Sequence, residues 1–400
     1  MQARNSKALI AGAVGCVAFG AAMPTAQAQS SVTLFGILDE GIMFQSNVGG
    51  NGGGRRVFLD STSGINGSRW GLMGSEDLGR GWRALFMLES GINLNNGALA
   101  QGGTAFGRQA YVGLASRQWG SLTLGRQYDM MFYFGQPVTS AGAQAGSAPF
   151  VHPGDLDNTA NTVRLNNTVR YMSADYAGLT FGGTYSIGGV AGDVTARSGY
   201  SLGAAYARGP FTVAAAFEYF KNPTSATAGT GFFTDNANGA STLAYALNSG
   251  YASAAAYQTG IIGGTYALGP VTLSLSYSNT QYGNLRENFS DRHARFDNLD
   301  AALRFAYSPF LSFSLAYDYL RGARVRRADG RSVGNQHFNQ VSVMGDYLLT
   351  KRTDVYLEGA WQRASGVSST GADAVADIGN LGDSSNNHQF VIRAALRHRF

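Results

Sequence analysis

The stretch of sequence that decides the fold is Val271–Ser278, which reads VTLSLSYS. Large apolar side chains occupy every second position, and threonine or serine fills the positions between them. Successive side chains of a β-strand point to opposite faces, so this alternation predicts a strand with one apolar and one polar face. The pattern recurs in Leu311–Asp318 (LSFSLAYD), Phe211–Tyr219 (FTVAAAFEY) and Leu299–Tyr307 (LDAALRFAY). Helical spacing of apolar residues does not compete in these windows.

The connections between such segments alternate between short and long. Seven tight turns are predicted at residues 78–81, 117–120, 175–178, 208–210, 268–270, 308–309 and 351–352. Eight long polar segments are predicted near residues 46–67, 92–105, 129–162, 188–199, 221–255, 280–297, 322–336 and 364–386. Together they would join sixteen strands. An even number of strands with short turns at one end and long loops at the other is typical of outer-membrane β-barrels.

The polar faces of the predicted strands carry charged residues such as Glu218, Asp300 and Arg304. These faces would line a lumen, because the apolar faces suit lipid. Aromatic residues cluster beside the short turns, as an interfacial girdle requires; they are Trp82, Trp119, Tyr176, Tyr206, Phe211, Tyr266, Tyr307, Phe310 and Tyr347. We therefore predict an all-β fold: a sixteen-stranded antiparallel transmembrane β-barrel with short periplasmic turns and long outer loops. A barrel of this size leaves an aqueous channel.

The first residues have the pattern of a secretory signal. Arg4 and Lys7 precede an apolar segment, and Ala26-Gln27-Ala28 resembles a cleavage site, so residues 1–28 are assigned to a signal peptide and 29–400 to the barrel domain. The only cysteine, Cys16, lies in the signal. Removing the signal leaves an excess of three basic residues, too small to indicate a nucleic-acid partner. The mature part contains no apolar run long enough for a transmembrane helix.

Other function classes find little support in the pattern. The five histidines, His152, His293, His337, His388 and His398, are scattered without metal-ligand spacing. We therefore expect no metal and no cofactor. An enzyme would need a serine–histidine or acid–histidine arrangement, and none is recognisable in the sequence. A sugar-selective channel would need more inward aromatic residues than Tyr111 and Tyr356. A role of the outer loops in adhesion stays open beside a channel.

Several motifs in order resemble the trimeric porins of Gram-negative bacteria, in particular those of the β-proteobacterial branch. The segments that carry the resemblance are SVTLFG (31–36), SRWGL (68–72), GSEDLG (74–79), GRQAYVGL (107–114), LGRQY (124–128) and RAALRHRF (393–400). The resemblance covers the whole mature chain. It implies a homotrimer of barrels in the outer membrane that lets small hydrophilic solutes and ions diffuse passively, with no enzymatic activity.

The resemblance also implies that the third long loop, from about Tyr128 to Thr162, folds into the lumen and forms the constriction. Its acids are Asp129, Asp155 and Asp157. A row of arginines would face it from the wall: Arg69 and Arg126 by motif, with Arg170 and Arg164 added by strand and parity. The stretch from Gln136 to Phe150 contains no acid, which departs from the usual constriction.

Two readings of the wall arginines remain open. They could set the ion preference, or Arg69 and Arg126 could pair with acids such as Glu89 or Glu218 and stabilise the wall. The excess of arginine over acid predicts a preference for anions that is strongest at low salt. The same assignment predicts that glutamate at Arg126 and Arg170 would shift the preference toward cations.

The end of the chain carries the remaining expectations. The resemblance implies that the terminal aromatic residue, Phe400, is the signal for the outer-membrane assembly machinery. The first and last strands, with small Gly36 and Ala394 outward, are candidate contacts between protomers. Outer-membrane lipid and lipopolysaccharide are the expected surroundings.

Overall fold

The structure is a computed structural model that describes residues 31–49, 54–142, 148–224, 231–237, 243–286, 288–379 and 381–400. The predicted signal peptide, residues 1–28, lies outside the described residues. The strands are β1 (Ser31–Ser46), β2 (Arg55–Asp60), β3 (Arg69–Gly79), β4 (Trp82–Gly91), β5 (Gln109–Ser116), β6 (Gly120–Gln127), β7 (Leu165–Met172), β8 (Leu179–Ser186), β9 (Gly199–Arg208), β10 (Phe211–Lys221), β11 (Ala256–Leu268), β12 (Val271–Gly283), β13 (His293–Ala306), β14 (Leu311–Gly322), β15 (Val325–Arg326), β16 (Ser332–Val333), β17 (His337–Leu348), β18 (Thr353–Ser365) and β19 (His388–Arg399).

In the part of the chain that the structure describes, helical structure is confined to short pieces in the long connections. These are α-helical turns at Ala100–Gly103 and Phe232–Ala237, a π-helical turn at Met131–Gly135, and 3-10 turns at Gln136–Val138, Ala148–Phe150, Pro153–Asp155 and Ser249–Tyr251. Within the described parts of the chain, none of these helices has the length and apolar character needed to cross a membrane.

The strands form one closed antiparallel barrel of sixteen positions, as predicted. Seventeen strands belong to the main sheet, and closure comes from β1, which pairs with β19 on one side and with β3 on the other. Strand β2 pairs with residues 41–46 of β1 and β3 with residues 31–37, so β2 and β3 share one position. Strands β15 and β16 form a separate hairpin in the connection after β14.

The alternation in the sequence has the orientation expected of a pore in lipid. In β12, Leu273 and Leu275 are 42% and 58% exposed, whereas Ser274 and Ser276 are 6% and 2% exposed. The exposed leucines face outward, and the serines face the interior. This is the reverse of a soluble barrel, in which apolar side chains fill the inside.

This face assignment predicts very different effects for arginine at two adjacent positions. Leu273→Arg should cost roughly 2–4 kcal/mol if the site lies near the bilayer midplane, because the charge would enter lipid. Ser274→Arg should cost far less, because the side chain can reach the water-filled lumen. Refolding yield into lipid vesicles measures the difference. Equal losses for the two variants would contradict the orientation of β12.

All seven predicted tight turns join consecutive strands. The turn between β3 and β4 shows why glycine is needed there: Gly79, Arg80 and Gly81 have φ of 81°, 52° and 80°. Glycine adopts this left-handed region without steric cost. Of the nine aromatic residues near the turns, all but the half-buried Tyr206 are exposed, which confirms an aromatic belt at this end of the barrel.

One predicted loop is shorter than expected. Strand β12 continues to Gly283 and β13 begins at His293, so the connection expected over residues 280–297 covers only 284–292. The extra pairing includes Gln281 opposite Arg295 and Asn279 opposite Asp297. Here Tyr282, Ala294 and Phe296 face the interior and the polar residues face outward, so the apolar-outside pattern of the other strands is reversed although the backbone pairing continues.

Candidate functional site: the arginine-lined cavity in the lumen

The third long loop, which follows β6, enters the barrel and contacts well-separated parts of its inner wall. The Met130 N–H donates to Ser201 Oγ of β9 at 3.0 Å. Further along, the Ser140 N–H donates to Asp300 Oδ2 of β13 at 2.5 Å. Gln340 of β17 donates from Nε2 to the Pro149 carbonyl at 3.0 Å. Because these strands lie on different parts of the wall, the loop crosses the lumen.

Apolar packing fixes the first part of this loop against the wall. Met130, Met131, Phe134 and Val138 are buried and form one cluster with inward-facing residues of β10 and β11, namely Ala214, Ala216 and Ile261. The wall also carries a small residue where the loop packs against it, because a side chain at Gly203 would overlap Phe134. The inward faces of the other strands carry mainly polar residues. Contact with the inserted loop explains why small apolar residues occupy these wall positions instead.

The three predicted loop acids are engaged within the loop and are buried. Asp129 accepts from the Phe132 N–H at 3.0 Å and from Asn158 Nδ2 at 2.7 Å. Asp155 accepts from the N–H groups of Ala160 and Thr162 at 2.8 and 3.1 Å. Burial raises the pKa of Asp129 to about 7 and the pKa of Asp155 to about 6. Both carboxyls are therefore partly protonated near neutral pH.

The third acid, Asp157, joins a histidine that the sequence did not single out. His152 Nδ1 lies 2.8 Å from Asp157 Oδ2, and His152 Nε2 lies 3.2 Å from Asp300 Oδ2 and 3.7 Å from Asp318 Oδ2. Burial lowers the pKa of His152, but the carboxylates of Asp157 and Asp318 outweigh burial and raise the pKa well above its ordinary value. This acid–histidine cluster holds the loop to β13 and β14.

A cavity of about 380 Å³ lies beside the loop and is lined by three arginines, Arg69, Arg108 and Arg164. The remaining lining residues are Thr62, Ser63, Gly64, Ile65, Asn66, Gly67, Ser68, Ala100, Gln101, Phe132, Gln136, Ala148, Val151, Ala160, Asn161, Thr162 and Tyr245. Among the described residues, therefore, no aspartate or glutamate lines this cavity. The loop acids Asp129, Asp155 and Asp157 are not among the lining residues.

One acid, Glu89, stands behind the arginines. Its Oε1 lies 3.3 Å from Arg69 Nη1 and 3.0 Å from Arg108 Nε. Glu89 is 3% exposed and also accepts from Gln109 Nε2 at 2.8 Å. The ion pair between Arg69 and Glu89 agrees with the hypothesis that this arginine stabilises the wall. Arg69 also lines the cavity, as the hypothesis of a role in ion preference requires, so the two hypotheses are compatible for this residue.

The other two predicted arginines point inward but do not line this cavity. Arg126 donates from Nε to the Gly107 carbonyl at 2.8 Å and from Nη1 to the Arg164 carbonyl at 3.0 Å. The Arg170 guanidinium donates to the Tyr133 hydroxyl and lies 5.1 Å from the centre of the Tyr111 ring. Both arginines thus connect the wall to loop residues. A pore role for Arg126 and Arg170 stays a prediction.

Arg108 was missed because it stands one residue before β5. Counted back along the strand, it shares parity with the outward-facing Val112 and would point to lipid. Alternation does not extend past the strand end, and Arg108 turns inward to Glu89. Its position in the GRQAYVGL motif was the one available signal.

Comparison with known proteins places the chain in a family. A family model described as Gram-negative porin matches residues 13–366. The chain belongs to the Gram-negative porin family.

Individual porins are similar over most of the chain. An outer membrane porin protein of Bordetella pertussis is 32% identical over 373 residues, covering 84% of this chain and 90% of that protein. Among solved structures, an anion-selective porin from Comamonas acidovorans superposes with a TM-score of 0.68 at 20% identity, covering 93% of this chain and all of that one. The trimer form of OmpT from Vibrio cholerae superposes with a TM-score of 0.61 at 13% identity, covering 93% and 99%.

These findings confirm the localisation and the general function. This porin is an outer-membrane β-barrel that forms a channel for passive diffusion of small hydrophilic solutes. The β-proteobacterial resemblance is confirmed as well, since its relatives include the Bordetella protein and porin 32 of Delftia acidovorans.

Proposed function

We propose that this porin prefers anions. The observation that carries the proposal is the cavity beside the third loop, which is lined by three arginines and, among the described residues, by no acid. Guanidinium groups keep their charge at any working pH. A narrow polar passage with low-dielectric walls concentrates the field of such charges and raises the local concentration of counter-ions.

Glu89 and the acids of the third loop offset the charge of this cavity only in part. Glu89 contacts Arg69 and Arg108 and can balance one of the three positive charges. The loop acids Asp129 and Asp155 are buried, and their raised pKa values reduce their negative charge near neutral pH. Asp157 is paired with His152. The passage therefore keeps a positive excess.

Zero-current potential tests the preference directly. In a tenfold gradient of potassium chloride across a planar bilayer, we expect the zero-current potential to have the sign of the chloride equilibrium potential. The deviation should shrink as salt approaches 1 M, where the screening length falls to about 3 Å. The same recordings report assembly, because a trimer should close in groups of three conductance steps. A potential on the potassium side would contradict the proposed preference, whereas the channel function would stand.

We further propose that the porin is a homotrimer, exported by the signal at residues 1–28 and matured to a single barrel domain at 29–400. The expected partners are other copies of the chain, the outer-membrane assembly machinery, and outer-membrane lipid and lipopolysaccharide. At the predicted protomer contact, the ring of Phe400 already covers Gly36, whereas Ala394 is exposed. Ala394 is thus the better candidate for a contact between protomers.

Absence of enzymatic activity also remains a proposal. It is supported by the porin relatives and by the position of the His152 cluster. That histidine, with Asp157, Asp300 and Asp318, is buried between the loop and the wall. The arrangement suits a structural role for the cluster.

A further inference from the structure

The His152 cluster brings together three possible metal ligands from distant parts of the chain. His152 lies in the third loop, Asp300 in β13 and Asp318 in β14, and one ligand atom from each lies within 4.8 Å of the others. The three residues are 2%, 1% and 4% exposed. The barrel topology alone creates this group, because strands β13 and β14 are neighbours and the loop crosses the lumen to reach them.

Two of the three separations between the ligand atoms suit a tetrahedral ion, and the third, between the two carboxylates, is within 4.8 Å. Ligands bound at about 2.0–2.2 Å in tetrahedral geometry are separated from one another by about 3.3–3.6 Å. The separation between His152 Nε2 and Asp300 Oδ2 is 3.2 Å, and that between His152 Nε2 and Asp318 Oδ2 is 3.7 Å. An ion could therefore enter between these atoms with small adjustments of the side chains.

The orientation of the histidine ring also fits metal binding. His152 Nδ1 faces Asp157 Oδ2 at 2.8 Å. Asp157 in turn accepts hydrogen bonds from Ser278 Oγ at 2.6 Å and Thr159 Oγ1 at 3.0 Å. A carboxylate on Nδ1 fixes the orientation of the ring, and a metal ion would take the place of the Nε2 proton that faces Asp300 Oδ2, which gives the arrangement that most metal-bound histidines share.

Two buried oxygens in the cluster have no hydrogen-bond partner among the residues that the structure describes. They are Asp300 Oδ1 and Asp318 Oδ1. Burying an uncompensated carboxylate is costly. Three carboxylates around a single imidazole leave negative charge in the interior even when the imidazole is protonated. A divalent cation would compensate this charge and satisfy the free oxygens.

We propose that His152, Asp300 and Asp318 bind a divalent transition-metal ion of the zinc type, with Asp157 orienting the histidine. One imidazole and two carboxylates are suitable ligands for Zn²⁺, whereas Mg²⁺ and Ca²⁺ prefer oxygen ligands alone. The ion would tie the third loop to β13 and β14. The site is independent of the proposed ion preference, since its residues do not line the arginine cavity.

Metal content of the folded protein tests the site. Full-length porin in detergent, stripped with a chelator and dialysed against zinc chloride, should retain about one zinc per chain by mass spectrometry, also in the presence of excess Mg²⁺. His152→Gln should lose this zinc. The matched control His293→Gln, which removes an exposed histidine at the start of β13, should retain it. Heat-modifiable migration on gels shows that each variant is folded.

A second variant separates the orienting residue from the ligands. Asp157→Asn keeps all three ligands and should weaken zinc binding about 10- to 100-fold, as loss of an outer carboxylate does at other metal sites. It also covers the case in which His152→Gln fails to fold. The proposal is overturned if wild-type porin retains no zinc, or if zinc binding is unchanged in the folded variants at His152 or Asp157.

Discussion

Replacing Arg69, Arg108 and Arg164 together by glutamine should abolish the anion preference. The three guanidinium groups are the charged side chains that line the cavity beside the third loop. The triple variant removes three positive charges and leaves Glu89 without its two ion-pair partners. The zero-current potential in a tenfold chloride gradient should therefore move from the chloride side to zero or beyond it. Glutamine keeps hydrogen-bond donors at all three positions, and Gln109 continues to donate to Glu89.

The matched control removes the same charge from the outer surface. Arg324, Arg326 and Arg331 are exposed in the connection that carries β15 and β16. These arginines do not line the cavity, and exposed charges are screened over about 10 Å at 0.1 M salt, so the corresponding triple glutamine variant should shift the potential only slightly. Equal shifts for the two triple variants would contradict a selective role for the cavity.

The predicted effect of Arg126 and Arg170 on ion preference can be measured in the same experiment. Both contact loop groups and neither lines the cavity. Arg126→Gln with Arg170→Gln should therefore change the potential less than the cavity triple variant. A larger shift from this pair would show that Arg126 and Arg170, rather than the cavity arginines, set the ion preference.

The barrel was predictable because its strands carry a strong alternating signal. In Val271–Ser278, each apolar residue faces lipid and each polar one faces the interior, so a single window reveals both the strand and its orientation. The tight turns were equally clear, since residues such as Gly79 and Gly81 mark them. The loop over residues 284–292 was overestimated because the flanking strand ends turn apolar residues such as Tyr282 and Phe296 inward and polar residues outward, the reverse of the pattern in the other strands.

For the interior, the sequence predicted only which side chains face inward. Parity correctly turned Arg126 and Arg170 inward, but it says nothing about which loop atoms their long side chains meet. Arg108 escaped because it precedes its strand. The His152 cluster could not be foreseen, since Asp300 lies 148 residues further along the chain and only the path of the third loop brings the two together.

The end of the chain is part of the seam that closes the barrel. The Gly36 N–H donates to the Phe400 carbonyl at 3.1 Å, and the Phe400 N–H donates to the Gly36 carbonyl at 3.0 Å. The Phe400 ring is 43% exposed on the outer surface and covers Gly36, where any side chain would overlap it. Phe390, Ile392 and Leu396 are exposed on the same side, as predicted. Phe400 thus has a structural role at the seam beside the predicted role as an assembly signal.

Deleting Phe400 should remove most of this porin from the outer membrane. The deletion eliminates both hydrogen bonds at the end of the seam and also the terminal ring that the assembly machinery is expected to recognise. Phe400→Ala keeps the backbone bonds and removes the ring, which includes the cover over Gly36, so it separates the role of the side chain from that of the backbone seam. We expect Phe400→Ala to refold in detergent almost like the wild type and yet to accumulate poorly in cells, with the deletion impaired in both assays. Outer-membrane fractions and heat-modifiable migration of refolded protein provide the two measurements. Normal outer-membrane levels of the deletion variant would refute both roles, because neither the closed seam nor the terminal aromatic would then be needed for assembly.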